Sequence, residues 1–150
     1  MSFAAGTIFQ MGSAPVIEET LRFTETRHRL ILSNVANSDT PNYRRQDLDE
    51  GTFRRNLANA IEERSNHHPH HFSSSESSFE PVSTWGGTFM GPRVPRMPHE
   101  GPTRHDENNI SMEREMAILA QNAGKFTTMS NLLRKEWGQL RSAIAERPGS

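Results

Sequence analysis

Four histidines crowd one short stretch, His67, His68, His70 and His71, and imidazole is the commonest metal-ligating side chain. A structural zinc site also needs Cys or carboxylate ligands at set spacings, and this run has neither and is broken by Pro69. The cluster reads as a polar loop, with a soluble metal-binding module kept as an alternative function. The acidic pairs Glu18/Glu19 and Glu62/Glu63 lie in amphipathic stretches and read as solvated charge on helix surfaces, not as a general acid and base. The chain has no Gly-rich phosphate loop, nucleophile elbow, H-E-x-x-H run or EF-hand loop. Cysteine is absent, which removes thiol catalysis and disulfide bonding. Asn109-Ile110-Ser111 matches a glycosylation acceptor, but the first fifteen residues carry no Lys or Arg ahead of an apolar core, so no cleaved secretory leader is expected. No catalytic, cofactor-binding or metal residue is assigned, and the chain is expected not to be an enzyme.

Composition narrows the remaining classes. Of 150 residues only 33% are hydrophobic, and the mean hydropathy is -0.75, so a large private core is not expected. The formal charge of -1 is spread evenly along the chain, leaving no basic field for nucleic acid. No apolar run reaches the ~20 residues that span a bilayer.

What must position any function is helical periodicity. From Ser111 to Ala145, Met112, Met116, Leu119, Ala123, Phe126, Ser130, Leu133, Trp137, Leu140 and Ile144 follow alternating spacings of four and three, a coiled-coil seam. Ser111 can cap this helix, Glu113 and Glu115 sit in its first turn, and Arg147, Pro148 and Gly149 mark its end. Ile118, Met129 and Leu132 form a second apolar group off the seam. Pro15 opens another helix, to about Asn34, with Ile17, Leu21, Thr24, His28, Ile31 and Val35 on one stripe and Val16, Phe23 and Leu30 on another. Before Pro15, Ile8 and Phe9 are large apolar anchors in a stretch expected to be loosely ordered. The expected fold is mainly α, with the two long helices paired as an elongated antiparallel coiled-coil-like domain. The Val16/Phe23/Leu30 and Ile118/Met129/Leu132 stripes are then expected to stay exposed and recruit neighbours. His28 is expected to pack in the seam, not to ligate.

Three regions follow: residues 1–64 with the first helix, a turn and a short helix at Leu57 to Ile61; residues 65–105; and residues 106–150 with the last helix. In residues 65–105, 23 of 41 residues are Ser, His, Pro or Gly, too few apolar groups for a core, so this segment is expected to be mobile. Inside it, Gly86-Gly87 between β-formers suggests a small hairpin.

After the first helix stands Ala36-Asn37-Ser38-Asp39-Thr40-Pro41-Asn42-Tyr43, which resembles the A-N-x-x-T-P-G-Y signature of the bacterial flagellar rod, hook and filament-junction proteins. The departure is Asn42, the residue that best replaces Gly where φ is positive. The run from Asp106 to Met116 is similar to the D-G-N-N-V-D-x-E-x-E-M lead-in of the family's proximal rod subunit, more than to the Y-P-N-V of a sister rod subunit, which remains an alternative along with a helical adaptor. The resemblance implies a structural subunit that self-associates in a helical assembly through its terminal helices and transmits torque as part of the drive-shaft. It implies other rod subunits and the membrane-embedded base ring and export apparatus as partners. It also implies a periplasmic place in the basal body, reached by flagellar type III export, and no cofactor. Residues expected to pair helices or join neighbours are Ile17, Leu21, Phe23, Leu30, Ile31, Val35, Met112, Met116, Leu119, Phe126, Met129, Leu132, Leu133, Trp137, Leu140 and Ile144.

Overall fold

The computed structural model describes residues 13–67, 79–84, 87–92, 96–98 and 110–145. Helix α1 (Ala14–Ala36) begins with Pro15 in its first turn, where a missing N–H costs nothing. Strand β1 (Gln46–Leu48) and helix α2 (Glu50–His67) follow, then β2 (Phe79–Thr84), β3 (Gly87–Pro92), β4 (Arg96–Pro98) and the long α3 (Met112–Ala145). The fold is mainly α, with the two terminal helices packed together. Three side-chain contacts fix their sense: Ser13 Oγ donates to Glu136, Asn122 Nδ2 to the Thr24 carbonyl at 2.8 Å, and Asn34 Nδ2 to Glu115 Oε2 at 3.1 Å. Numbers rise on α1 as they fall on α3, so the pair is antiparallel. At 1.5 Å per residue α3 is about 50 Å long, and its last two turns run past the start of α1.

Ser111 caps α3 as its position predicts, accepting from the Arg114 amide at 3.4 Å and donating to Glu113 at 3.0 Å. The expected hairpin is β2 against β3, antiparallel, with Val82 opposite Phe89 and Thr84 opposite Gly87. A second two-stranded pairing, β1 with β4, sets Asp47 opposite Met97. Helix α2 is longer than the Leu57 to Ile61 pattern because Asp49 caps it, accepting from Gly51 N at 2.8 Å and Thr52 Oγ1 at 2.6 Å. Ile8, Phe9, His68, His70, His71, Gly86, residues 106–109 and the Arg147 to Gly149 stop signal lie outside the described residues, as do the side chains of His67 and Ile144.

Two expectations about packing are corrected. Phe23 and Leu30 are not an outward stripe: they are buried with Leu48 and Phe53, and Leu57 packs against them. Phe23 and Phe53 stack with ring centroids 4.1 Å apart. The turn after α1 sends the chain back along this face, so α2 covers what a lone helix pair would have left open. Val16 is half-buried. On α3, the seam residues Met116, Phe126 and Trp137 are 49%, 44% and 41% exposed, and Ala123 is also exposed. The inward face runs instead through Glu115 and Asn122, one residue or about 100° away. Leu119, Leu133, Leu140, Met112, Ile118 and Met129 are half-buried, while Leu132 is exposed. On α1, Ile17, Thr24 and Ile31 are buried on one stripe, and Leu21, His28 and Val35 are half-buried.

Phe53→Ala is expected to destabilise the chain by about 3–5 kcal/mol, against under about 0.5 kcal/mol for Met116→Ala. Urea unfolding followed by circular dichroism checks this, and equal effects would contradict the placement of the core.

Candidate functional site: a buried polar seam between the two ends of the chain

The site grows from the turn after α1. Asn37 Nδ2 donates to the Ser33 carbonyl at 2.8 Å, closing the helix end. The Thr40 N–H reaches the Asn37 carbonyl at 3.1 Å, and the Tyr43 N–H reaches the Thr40 carbonyl at 3.3 Å. Pro41 and Asn42 are thus the central pair of a β-turn, and Asn42 has φ 60°, the positive value a type II turn demands at that place. The turn brings Tyr43 back onto the helix, where its hydroxyl donates to Asn34 Oδ1 at 3.3 Å.

Asn34 is fully buried and all its amide groups are used. Its Oδ1 accepts from Gln46 N at 3.1 Å while its Nδ2 donates to Gln46 O at 2.7 Å, so the side chain pairs with β1 as a neighbouring strand would. The same Nδ2 reaches Glu115, whose carboxylate is fully buried. Arg45, 5% exposed, donates through Nε to Glu115 and through Nη2 to Asp47 Oδ2 at 3.0 Å. Arg27 holds Asp47 in a two-pronged bond, Nε to Oδ1 at 2.8 Å and Nη2 to Oδ2 at 2.9 Å, and extends Nη1 to Glu50 at 3.0 Å. Lys125 closes the chain by donating to Glu50 Oε1 at 2.6 Å. Three cations and three carboxylates from α1, the turn leading into β1, β1 itself, α2 and α3 therefore neutralise one another, which is the condition for burying charge at all.

Electrostatics follow from the geometry. Burial would raise the Asp47 carboxyl, but the Arg27 hydrogen bonds and the charges of Arg27 and Arg45 outweigh it and hold Asp47 below its ordinary value. The Lys125 hydrogen bond lowers Glu50, against burial and with help from Arg27. Hydrogen bonding to Asp47 raises Arg27 further, against its own burial. Glu19 is the opposite case: burial raises its carboxyl, only partly offset by Arg22.

Beside this seam, Thr24, Glu25, His28, Arg29, Asn122, Ala123, Phe126 and Thr127 line a cleft of about 330 Å³. His28 thus sits at the rim of the helix pair. Among the described residues no cluster of three or more His, Asp or Glu side chains is arranged to hold a metal ion, and no helix is long and apolar enough to cross a membrane. Of the family-motif residues, Asn37, Thr40, Pro41, Asn42 and Tyr43 build the turn, and Ala36 ends α1. Asn34, Arg27, Arg45, Asp47 and Glu115 were not singled out from the sequence. Their one signal was placement: Asn34 and Glu115 each sit directly beside a seam position.

The fold and the seam define a mainly helical protein whose two long terminal helices are pinned together by buried charge, with large apolar side chains left exposed on the last helix. The chain is 30% identical over 108 residues to the flagellar basal body rod protein FlgB of Aquifex aeolicus, covering 72% of this chain and 73% of the relative. It is 21% identical over 145 residues to FlgB of Bacillus subtilis, covering 96% and 97%, and 26% identical over 110 residues to FlgB of Proteus mirabilis, covering 73% and 76%. No family model matches. The chain belongs to the FlgB family of flagellar basal body rod proteins.

Two measurements test the site. Asp47 and Glu50 have lowered values in the fold, so the stability they supply is present above their unfolded values near ~4 and is lost as pH falls through the folded ones. Glu19, being raised, acts oppositely: its cost is present above its folded value and is relieved on acidification. The thermal midpoint is expected to fall below about pH 4, the fall shallower in Asp47→Asn and steeper in Glu19→Gln, which gains stability at pH 7. An unchanged slope in both would contradict the network. At the turn, Asn42→Val is expected to cost about 1–2 kcal/mol and Asn42→Gly close to nothing, measured by chemical unfolding.

Proposed function

We propose that this chain is a structural subunit of the proximal rod that polymerises through the outward face of α3, forming part of the shaft that carries motor torque. Met116, Phe126 and Trp137 carry the reading: three large apolar side chains left exposed within an arc of about 80° flanking the face of the helix that packs on α1. Exposed apolar surface of this size is costly on a free protein and suits a subunit that covers it on assembly. A face that contacts a different face of the next copy does not close on itself and extends as a helix, which is the geometry of a rod. Family membership supports the assignment to the basal body and assembly with other rod components; a neighbouring rod subunit, the base ring and the export apparatus are the partners this reading proposes. The periplasmic position and passage through the flagellar type III channel, without a cleaved leader, belong to the same reading. Leu132 points away from this arc, and Met129 and Ile118 are turned toward α1, so the contact residues proposed are Met116, Phe126 and Trp137, with Ala123 and Ser130 between them.

The double variant Phe126→Asp/Trp137→Asp is expected to keep its helical circular dichroism and its unfolding midpoint within about 0.5 kcal/mol, because both positions are exposed. Cells carrying it are expected to be non-motile, with the chain missing from purified basal bodies. Motility and incorporation at the level of the unaltered chain would refute the assignment of this face.

A further inference from the structure

The contact between α1 and α3 leaves one polar atom unserved. Asn122 is 1% exposed and its Nδ2 donates to the Thr24 carbonyl at 2.8 Å, yet its Oδ1 is buried with no hydrogen-bond partner among the described residues. A buried amide oxygen without a donor is a standing cost that native folds seldom keep. Asn122 also lines the cleft of about 330 Å³ formed by residues of α1 and α3. The other lining groups supply no hydroxyl donor to it: Thr24 and Thr127 spend theirs on the Leu21 and Ala123 carbonyls of their own helices, at 2.9 and 3.0 Å. Glu25 holds the Arg29 guanidinium across one helical turn at 2.5 Å. Ala123 and Phe126 complete an apolar wall.

Such a cleft fits one bulky, mainly apolar side chain that carries a single N–H or O–H. Its volume is near the bottom of the ~300–1,000 Å³ range of ligand pockets, which suits one large side chain better than a longer ligand. A Lys or Arg would bring several donors to one acceptor and a second cation beside Arg29. Among the described residues, Trp137 alone of the exposed large apolar side chains carries a donor, its indole N–H. It cannot reach the cleft of its own chain, because the helix climbs about 22 Å from Asn122 to Trp137 at 1.5 Å per residue. Resting on the assembly reading above, we propose that the cleft is the socket for Trp137 of a second copy, with the indole N–H donating to Asn122 Oδ1 and the ring against Phe126. Phe126 then serves twice, as a wall of the socket and as a member of the exposed arc that carries Trp137. An apolar stripe alone would let two copies slide along each other, whereas one donor meeting one buried acceptor sets their register.

The chain has no cysteine, so single thiols can be placed without removing others. Thr127→Cys puts one at the cleft, and Arg141→Cys puts one a helical turn beyond Trp137, which is kept. The two purified full-length variants are mixed in equal amounts and treated with a short bismaleimide, and the products are read by mass spectrometry. The mixture is expected to give a product joining residues 127 and 141 at about ten times the yield of the like-with-like products. Trp137→Phe added to the Arg141→Cys variant is expected to lower that yield about tenfold. Asn122→Leu added to the Thr127→Cys variant is then expected to restore it to within about threefold, since neither side is left with an unpaired group. Absence of the 127–141 product would overturn the socket, and an unchanged yield in Trp137→Phe would overturn the hydrogen bond that selects its occupant. If the product is absent while Phe126→Asp/Trp137→Asp still abolishes motility and incorporation, the socket fails and the rod reading stands.

Discussion

The Glu115 carboxylate, with no exposure to solvent, is the constraint on which the arrangement of this chain depends. A buried carboxylate is tolerated only if opposite charge and donors surround it, and the fold supplies Arg45 and Asn34. Neither partner is available by default. Arg45 reaches the site only because the Thr40-Pro41-Asn42-Tyr43 turn reverses the chain directly after α1, and Asn34 is aimed there by its paired bonds to Gln46. The positive φ at Asn42, the strand-like use of Asn34 and the charge pair are links in one chain of cause. Asp47 is shared between Arg45 and Arg27, and Glu50 with Lys125 extends the neutralisation to a second point on α3.

Polar anchoring explains why α3 presents so much apolar surface outward. An apolar seam would be satisfied by any rotation that buries more area, and the run from Met112 to Leu140 offers several. Hydrogen bonds to Glu115 and Asn122 have one solution, and it leaves Met116, Phe126 and Trp137 more than two-fifths exposed, with Phe126 at the edge of the cleft beside α1. The helix sacrifices some self-burial to acquire a fixed orientation, and with it an ordered apolar face. Under the assembly proposed above, one fixed orientation of this face is worth more than a modest gain in monomer stability.

Much of the fold was legible in the sequence because it rests on local chemistry. Pro15 and Ser111 mark helix starts, the four-and-three spacing marks both long helices, Gly87 opens the second strand of the hairpin, and Asn42 stands where φ must be positive. What was not legible is non-local. The rotation of α3 was set from its apolar period alone, which treats Glu115 as an exposed residue of the first helical turn when Arg45 makes it a buried one. The burial of Phe23 and Leu30 under Leu48 and Phe53 depends on the direction the chain takes after the turn, which no period encodes. Pairing of β1 with β4 joins two three-residue strands far apart in sequence, too short to leave an alternation. Asp49 was missed as a cap because the helix it opens is polar over its first turn apart from Phe53.

The family motif acquires a physical meaning from this arrangement. Read alone, Ala36 to Tyr43 is a helix stop and a tight turn, and many sequences make one. Its particular residues matter for what they deliver: Asn37 closes α1 one turn after Ser33, beside Asn34, and Tyr43 holds Asn34 by its oxygen. Two residues further on, Arg45 enters the space between α1 and α3. The motif is thus one half of a lock whose other half, Glu115, lies 70 residues later. A chain with the same turn and no acid at that point on the last helix would bury Arg45 without the carboxylate that meets its Nε, with Arg27 already claiming Asp47. Such a chain would carry an excess buried cation, so the turn and the lead-in to the last helix have to be selected together.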